Sequence, residues 1–195
     1  ELASRGVAAD VFEASRTLGG RARGVEIDGL ALDNGAHILV GAYRETLRLM
    51  QLVGAPVDAL QRQPLHMDFP GQFRLRAPNL PAPWHLAWAL ATARGLTWPE
   101  RFAAVRFMRH LKNKRFRLPI DDTVATLLEH QPATLRRLLW GPLCLAALNT
   151  PPAEASAQVF AHVLRDSLAA RRDASDLLLP RQDLSAVLPE PAARW

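Results

Sequence analysis

Proline and glycine interrupt the longest apolar runs of this sequence, which limits the chain to short elements. The two longest candidates are Ala77 to Ala93, broken at Pro78, Pro81 and Pro83, and Leu138 to Ala153, broken by Gly141-Pro142 and Pro151-Pro152. Proline lacks an amide hydrogen and its ring clashes with the preceding turn, so each break ends or kinks a helix. A bilayer-spanning helix needs about 18 or more consecutive apolar residues, and neither run supplies them. At 49% hydrophobic and 22% charged over 195 residues, the chain has the make-up of a folded globular protein with a real core. A lone cysteine, Cys144, excludes an internal disulfide and a cysteine-built zinc site. A reducing, cytoplasmic setting follows as the expectation, and the apolar run around Cys144 marks it as a buried small hydrophobe.

Three regions are expected. Residues 1–63 mix short strands with one helix. Glu1 to Gly6 reads as the last turn of a helix with Gly6 as its stop, and Val7 to Phe12 as a short apolar strand. Glu26 to Leu32 alternates around Asp28-Gly29, a hairpin pair, and Tyr43 to Val53 has helical spacing with Gly54 and Pro56 beyond it. Residues 64–176 open with a second extended pair, joined by Pro70-Gly71, and then turn helical from Trp84 to Arg172. There Asp121 and Asp122 are expected to cap a helix, Pro132 and Pro152 to open others, and Gly141-Pro142 to kink or break a third. Residues 177–195, with Pro180, Pro189 and Pro191, read as an irregular connection back toward the first region. No internal repeat is present.

The strongest chemical signal lies early. A strand ending in Glu13, followed by Gly19-Gly20-Arg21-Ala22-Arg23, combines two features of a dinucleotide site. A carboxylate at a strand end accepts hydrogen bonds from ribose hydroxyls. A glycine pair lets backbone approach a bulky ligand, and arginine pairs with phosphate oxygens in bidentate fashion. Either feature alone is an ordinary strand end or turn. The glycine fingerprint that cradles a diphosphate lies about 20 residues before such an acidic residue, which puts it ahead of residue 1. This chain alone is therefore expected to bind such a dinucleotide weakly or not at all.

The segment Phe12-Glu13-Ala14-Ser15-Arg16-Thr17-Leu18-Gly19-Gly20-Arg21-Ala22-Arg23 resembles the adenine-side segment of the flavin-dependent amine oxidase and phytoene desaturase superfamily. Gly29 to His37 is similar to the strand that returns toward the flavin ring in those proteins. Leu143 to Pro151, Val163 to Leu168 and Ser175 to Ser185 together resemble the hydroxysqualene dehydroxylase family, over nearly the whole chain but about the first half of a typical member. The resemblance implies an α/β fold: part of an FAD-binding Rossmann-like domain, then a mainly helical substrate-binding region with a small sheet. It implies FAD as cofactor, with Glu13 and the adjoining Ala14 at the adenosine ribose. Gly19, Gly20, Arg21 and Arg23 would lie at the diphosphate, and Gly35, Ala36 and His37 near the ring. Ala36 departs from the family, which has Gln there. His37 is expected to be a hydrogen-bonded structural residue, and no catalytic acid is assigned; Asp166 and Asp183 fit capping or ion pairing equally well. The implied reaction is reductive removal of the hydroxyl of hydroxysqualene to give squalene, in hopanoid synthesis. A carotenoid-type or phytoene desaturase and an amine oxidase remain open alternatives.

The positive charge is local. Residues 98–117 carry seven basic side chains against Glu100 alone, a charge of +6 that exceeds the +5 of the whole chain. Ala104, Phe107, Met108 and Leu111 recur at helical spacing, so this is a basic amphipathic helix, with Trp84, Trp88 and Trp98 at or just before its start. Three readings compete: a surface helix with its stripe in the core, a peripheral contact with the inner face of a membrane, and a nucleic-acid contact. No zinc module or RNA-binding signature accompanies the last, so no nucleic acid is expected. A non-catalytic membrane-binding module is the alternative from outside enzymology. The six histidines show no metal-ligand spacing, and no metal is expected.

Overall fold

The computed structural model describes residues 1–35, 38–56 and 58–195. In chain order the strands are β1 (Gly24–Ile27), β2 (Leu30–Asp33), β3 (Leu39–Val40), β4 (Leu60–Gln63), β5 (His66–Phe69), β6 (Phe73–Arg76) and β7 (Leu177–Pro180). The α-helices are α1 (Arg44–Leu52), α2 (Trp84–Ala91), α3 (Trp98–Asn113), α4 (Val124–Leu127), α5 (Ala133–Leu135), α6 (Gly141–Leu148), α7 (Ala157–Ser167), α8 (Leu184–Val187) and α9 (Pro189–Arg194). The chain is mixed α/β, as expected. It forms two compact units, Glu1–Gln63 with Leu177–Trp195, and Pro64–Asp176.

In the first unit, Ala3–Arg5 form a 3₁₀ turn stopped by Gly6 at φ 75°. β1 and β2 pair antiparallel, with Ile27 opposite Leu30 and a two-residue turn between them. Both turn residues are left-handed, Asp28 at φ 52° and Gly29 at φ 78°, the backbone that matches the twist of a tight hairpin. Beyond α1, Gly54 is also left-handed at φ 66°. Met50 of α1 packs with Ala59 and Val187 in a small core.

Two expectations for this unit fail. Val7 to Phe12 is not a strand: Val11 is 88% and Phe12 95% exposed. A strand is held by a neighbour's hydrogen bonds and by a face to bury, and among the described residues this segment has neither. The tail is not irregular. Its apolar run Leu177-Leu178-Leu179 becomes β7, the middle strand of an antiparallel sheet ordered β3-β7-β4, with Leu178 buried. Pro180 sits at the last position of β7, where a missing N–H is tolerated.

The second unit opens with the β5–β6 hairpin through Pro70-Gly71; Phe73 and Leu75 point inward and Arg74 and Arg76 outward. The loop before α3 returns to this hairpin: Arg74 and Arg94 exchange backbone hydrogen bonds at 3.1 and 2.9 Å, and Gly95 follows at φ 82°. A capping box starts α3, with the Thr97 N–H donating to Glu100 Oε2 at 2.7 Å. The capping expectations shift. Thr123 caps α4, its hydroxyl accepting from the Thr126 N–H, while Asp121 reaches Ser156 and the Gln158 N–H instead. Hydrogen bonds from the Gln158 N–H, the larger cause, and from the Ser156 hydroxyl hold the Asp121 carboxyl below its ordinary value. Ser156, not Pro152, caps α7. Gly141-Pro142 does not break its helix. Residues 136–140 widen into a π-turn that absorbs proline's missing donor, and α6 continues from it. Gly141 is required there, since a Cβ would lie 2.6 Å from the Arg136 carbonyl oxygen.

The core of this unit is one cluster that includes Leu111, Leu135, Cys144, Phe160 and Leu164, with the Phe107 and Trp140 rings 5.1 Å apart. Ala104, Phe107 and Leu111 of α3 are buried in it and Met108 packs against it. The apolar stripe legible in the basic segment is therefore a core-facing stripe. A second, exposed face of α3 carries Trp98, Phe102 and Val105, and on α2 Trp84 and Trp88 are exposed. Arg101 lies over the Trp98 ring at 4.7 Å and donates to the carbonyls of Ala91 and Ala93 at the end of α2. Among the described residues no helix is long and apolar enough to cross a membrane.

Candidate functional site

The residues singled out in the first unit are joined through short side chains. Glu13 is exposed, and its Oε1 accepts from the Ser15 N–H at 2.8 Å, a local turn that fixes the carboxylate. Ala14 beside it is exposed. Ser15 is the link onward, because its hydroxyl accepts from Arg23 Nη1. The glycine pair makes the turn between them: the Ala22 N–H donates to the Gly19 carbonyl at 3.0 Å. Gly19, at φ 112°, has no room for a side chain, since a Cβ would meet the Ala22 oxygen at 2.5 Å. Gly20, at φ 59°, differs: nothing lies within 4 Å of where its Cβ would be, so its backbone is open to an approaching group. Arg21 is exposed, and its carbonyl accepts from the Asn34 amide at 3.3 Å.

That last bond brings in the end of the β1–β2 hairpin. The Asn34 N–H donates to the Arg23 carbonyl at 2.9 Å, and Gly35, at φ 99°, donates to the Asp33 carbonyl at 2.7 Å. The structure thus brings Glu13, Ala14, Gly19, Gly20, Arg21, Arg23 and Gly35 into one hydrogen-bonded region. Ala36 and His37 lie outside the described residues.

Two further residues hold this region: Ser185, which the sequence did not single out, and Asp183, for which capping or ion pairing was expected. Ser185, 2% exposed, accepts from the Gly24 N–H at 3.1 Å and donates to the Leu18 carbonyl at 3.0 Å. Asp183 caps α8 through the Ser185 and Ala186 N–H groups and packs against Gly24, where a Cβ would come within 2.6 Å of its Oδ1. The Leu184 N–H donates to Asp33 Oδ1 at 2.8 Å, completing the tie to the hairpin. The readable signal was an Asp two residues before a Ser at a helix start, a capping pattern that names a cap without naming what it clamps.

The second unit contains an apolar cavity of about 340 Å³ between α2, α3, α6 and residues 168–170. In the same unit, Asp176 is 1% exposed and pairs with Arg172 Nη1 at 2.8 Å. His85 is buried with both ring nitrogens lacking a hydrogen-bond partner among the described residues. Burial first, and then the Arg172 charge, push its imidazole below the ordinary value, and Asp176 opposes them. Cys144 is fully buried and its thiol is pushed up by that burial. Asp166 pairs with Arg165 at 2.7 Å, and among the described residues no group of three metal-ligating side chains gathers.

The sequence is 29% identical over 210 residues to a hydroxysqualene dehydroxylase of Sinorhizobium fredii (strain NBRC 101917 / NGR234), covering 100% of this chain and 46% of that protein. A hydroxysqualene dehydroxylase of Rhodopseudomonas palustris is 29% identical over 198 residues, covering 98% and 45%. One from Zymomonas mobilis is 25% identical over 165 residues, covering 81% and 38%. The chain therefore spans a little under half the length of these relatives, and the resemblance drawn from its motifs is borne out. The family profile of flavin containing amine oxidoreductases matches residues 1–173. With most of its length matched, from the Glu13 turn through the helical unit, this chain belongs to the flavin containing amine oxidoreductase family.

Proposed function

We propose that this chain forms part of an FAD-dependent oxidoreductase that acts on a C30 isoprenoid, removing the hydroxyl of hydroxysqualene to give squalene. The reading rests on one observation above others: the open Gly20 backbone, flanked by Arg21 and Arg23 and linked through Ser15 to Glu13. That set suits a dinucleotide. The two guanidinium groups carry charge for a diphosphate, the left-handed glycine pair leaves room for it, and the carboxylate accepts from sugar hydroxyls. In this reading 1–63 and 177–195 serve the cofactor and 64–176 the substrate. Ser185 and Asp183 hold the cofactor loop in shape, and Gly35 lies on the side of the ring. When bound and reduced, FAD supplies the hydride equivalent that replaces the departing hydroxyl, which leaves with a proton as water. The apolar cavity of the second unit supports an isoprenoid chain as substrate, since its walls offer burial without competing hydrogen bonds.

The test uses the chain with any flanking sequence its gene encodes. Reduced FAD and hydroxysqualene, mixed without oxygen, are expected to yield squalene by mass spectrometry. Glu13→Ala is expected to weaken FAD binding about tenfold, the scale of a lost charge-assisted hydrogen bond. Phytoene dehydrogenated by oxidised flavin, with hydroxysqualene untouched, would establish the desaturase instead.

Peripheral contact with an anionic membrane through residues 98–117 is part of the same proposal. Its support is the exposed Trp98, Phe102 and Val105 of α3 among basic side chains. Trp98→Ser with Phe102→Ser is expected to weaken partitioning onto anionic vesicles, measured by sedimentation, by about thirtyfold or more, since each buried aromatic contributes on the order of 1–3 kcal/mol. Sedimentation equal to that of the parent protein would remove the membrane from the proposal.

A further inference from the structure

The cavity of the 64–176 unit has apolar walls and a cationic rim. Leu86, Leu90, Met108, Leu139 and Leu143 supply the walls, and α3 contributes Arg109 and Lys112 at the edge, both exposed. Val105, Arg109 and Lys112 also line it and stand at i, i+4 and i+7, so they form one line down that side of α3. Among the described residues no carboxylate lines the cavity to neutralise the two cations. Trp140, also in the lining and 2% exposed, has an indole N–H with no acceptor among the described residues. Every polar side chain of the lining is thus a donor. A cavity that offers apolar burial, hydrogen-bond donors and positive charge is complementary to a long apolar chain ending in an acceptor-rich anion.

We propose that this cavity binds a single-chain amphiphile, with its apolar chain inside and a phosphate or carboxylate head at Arg109 and Lys112. The proposal rests on the reading that the cavity receives an isoprenoid-like chain, and it adds the charged head. A phosphate ester accepts from a guanidinium in paired hydrogen bonds and from an ammonium as a point charge. The chain supplies affinity through the area it removes from water.

The probes are farnesol, farnesyl monophosphate and inorganic phosphate, each titrated calorimetrically into the 195-residue chain below micelle-forming concentrations. Farnesyl monophosphate is expected to bind about tenfold more tightly than farnesol, the scale of one or two charge-assisted contacts. Inorganic phosphate is expected to compete with neither. Arg109→Gln with Lys112→Gln should abolish the preference of the cavity for farnesyl monophosphate over farnesol, because it removes both charges at exposed positions outside the core. Ala87→Trp, at an exposed lining position, should weaken both chain-bearing probes by obstructing the cavity. Equal binding of the alcohol and its phosphate overturns the charged head while the apolar-chain reading survives. Failure of both to bind, or binding untouched by Ala87→Trp, removes the cavity reading itself. Competition by inorganic phosphate at the same concentration would mean a plain anion site and overturn the amphiphile.

Discussion

Asp176→Ala is expected to destabilise the 64–176 unit by about 3–5 kcal/mol, because it leaves the partner of a buried carboxylate without its counter-charge. Asp176 is 1% exposed and its Oδ2 accepts from Arg172 Nη1 at 2.8 Å, while the Arg172 side chain is 22% exposed. A buried pair roughly balances the cost of drying two charges against their attraction, so the pair adds little net stability. One member without the other is what costs. The Arg172 charge already disfavours the protonated form of His85, and Asp176 opposes that push, so removing the carboxylate also strips the one favourable charge acting there. Denaturant unfolding followed by far-ultraviolet circular dichroism measures the loss. Asp176→Ala combined with Arg172→Met is expected to recover most of it. A single variant that unfolds at the parent's midpoint would mean that water already carries this charge.

Gly95→Ala is expected to cost more than about 3 kcal/mol, whereas Gly71→Ala costs about 1–2 kcal/mol, although the two glycines share nearly the same backbone. Gly71 has φ 72° and open space where a Cβ would be; Gly95 has φ 82°, and its Cβ would run into the Gln72 carbonyl oxygen. The left-handed penalty is common to both, so the difference isolates the collision. At Gly95 relief requires separating the loop from the β5–β6 hairpin, which breaks the paired Arg74–Arg94 hydrogen bonds at 3.1 and 2.9 Å. Comparing the two midpoints under identical conditions is the measurement, and equal shifts would show that the hairpin yields at no cost.

What could be read from the sequence was local. Asp28-Gly29 and Pro70-Gly71 specify their hairpins because the turn residues and both strands lie within a dozen positions. The α3 stripe was legible as amphipathic, but periodicity reports that a helix has an apolar face without saying that a further exposed face carries Trp98, Phe102 and Val105. Distance along the chain defeated the rest. Leu177 to Pro180 reads as a proline-bearing tail until β3 and β4, more than a hundred residues earlier, are beside it. Val7 to Phe12 has strand composition and no partner, so propensity there has nothing to act on. In the candidate site, Glu13 and Gly19 to Arg23 stood out because acidic, glycine and arginine residues cluster within eleven positions. Ser185 did not, because what it holds, Leu18 and Gly24, is about 160 residues away, and Asp183 was legible as a cap without the hairpin it packs against.

The middle position of β7 has a consequence for biosynthesis. Among the described residues, the three-stranded sheet of the first unit joins Leu39–Val40 and Leu60–Gln63 only through Leu177–Pro180, so it waits on the ribosome until Pro180, more than a hundred residues after β4, has emerged. Residues 64–176, by contrast, are continuous and hold their own large core. Loop-closure entropy favours the segment whose contacts lie closer in sequence. The helical insert is thus ready to condense co-translationally, and the flanking stretches clasp each other afterwards.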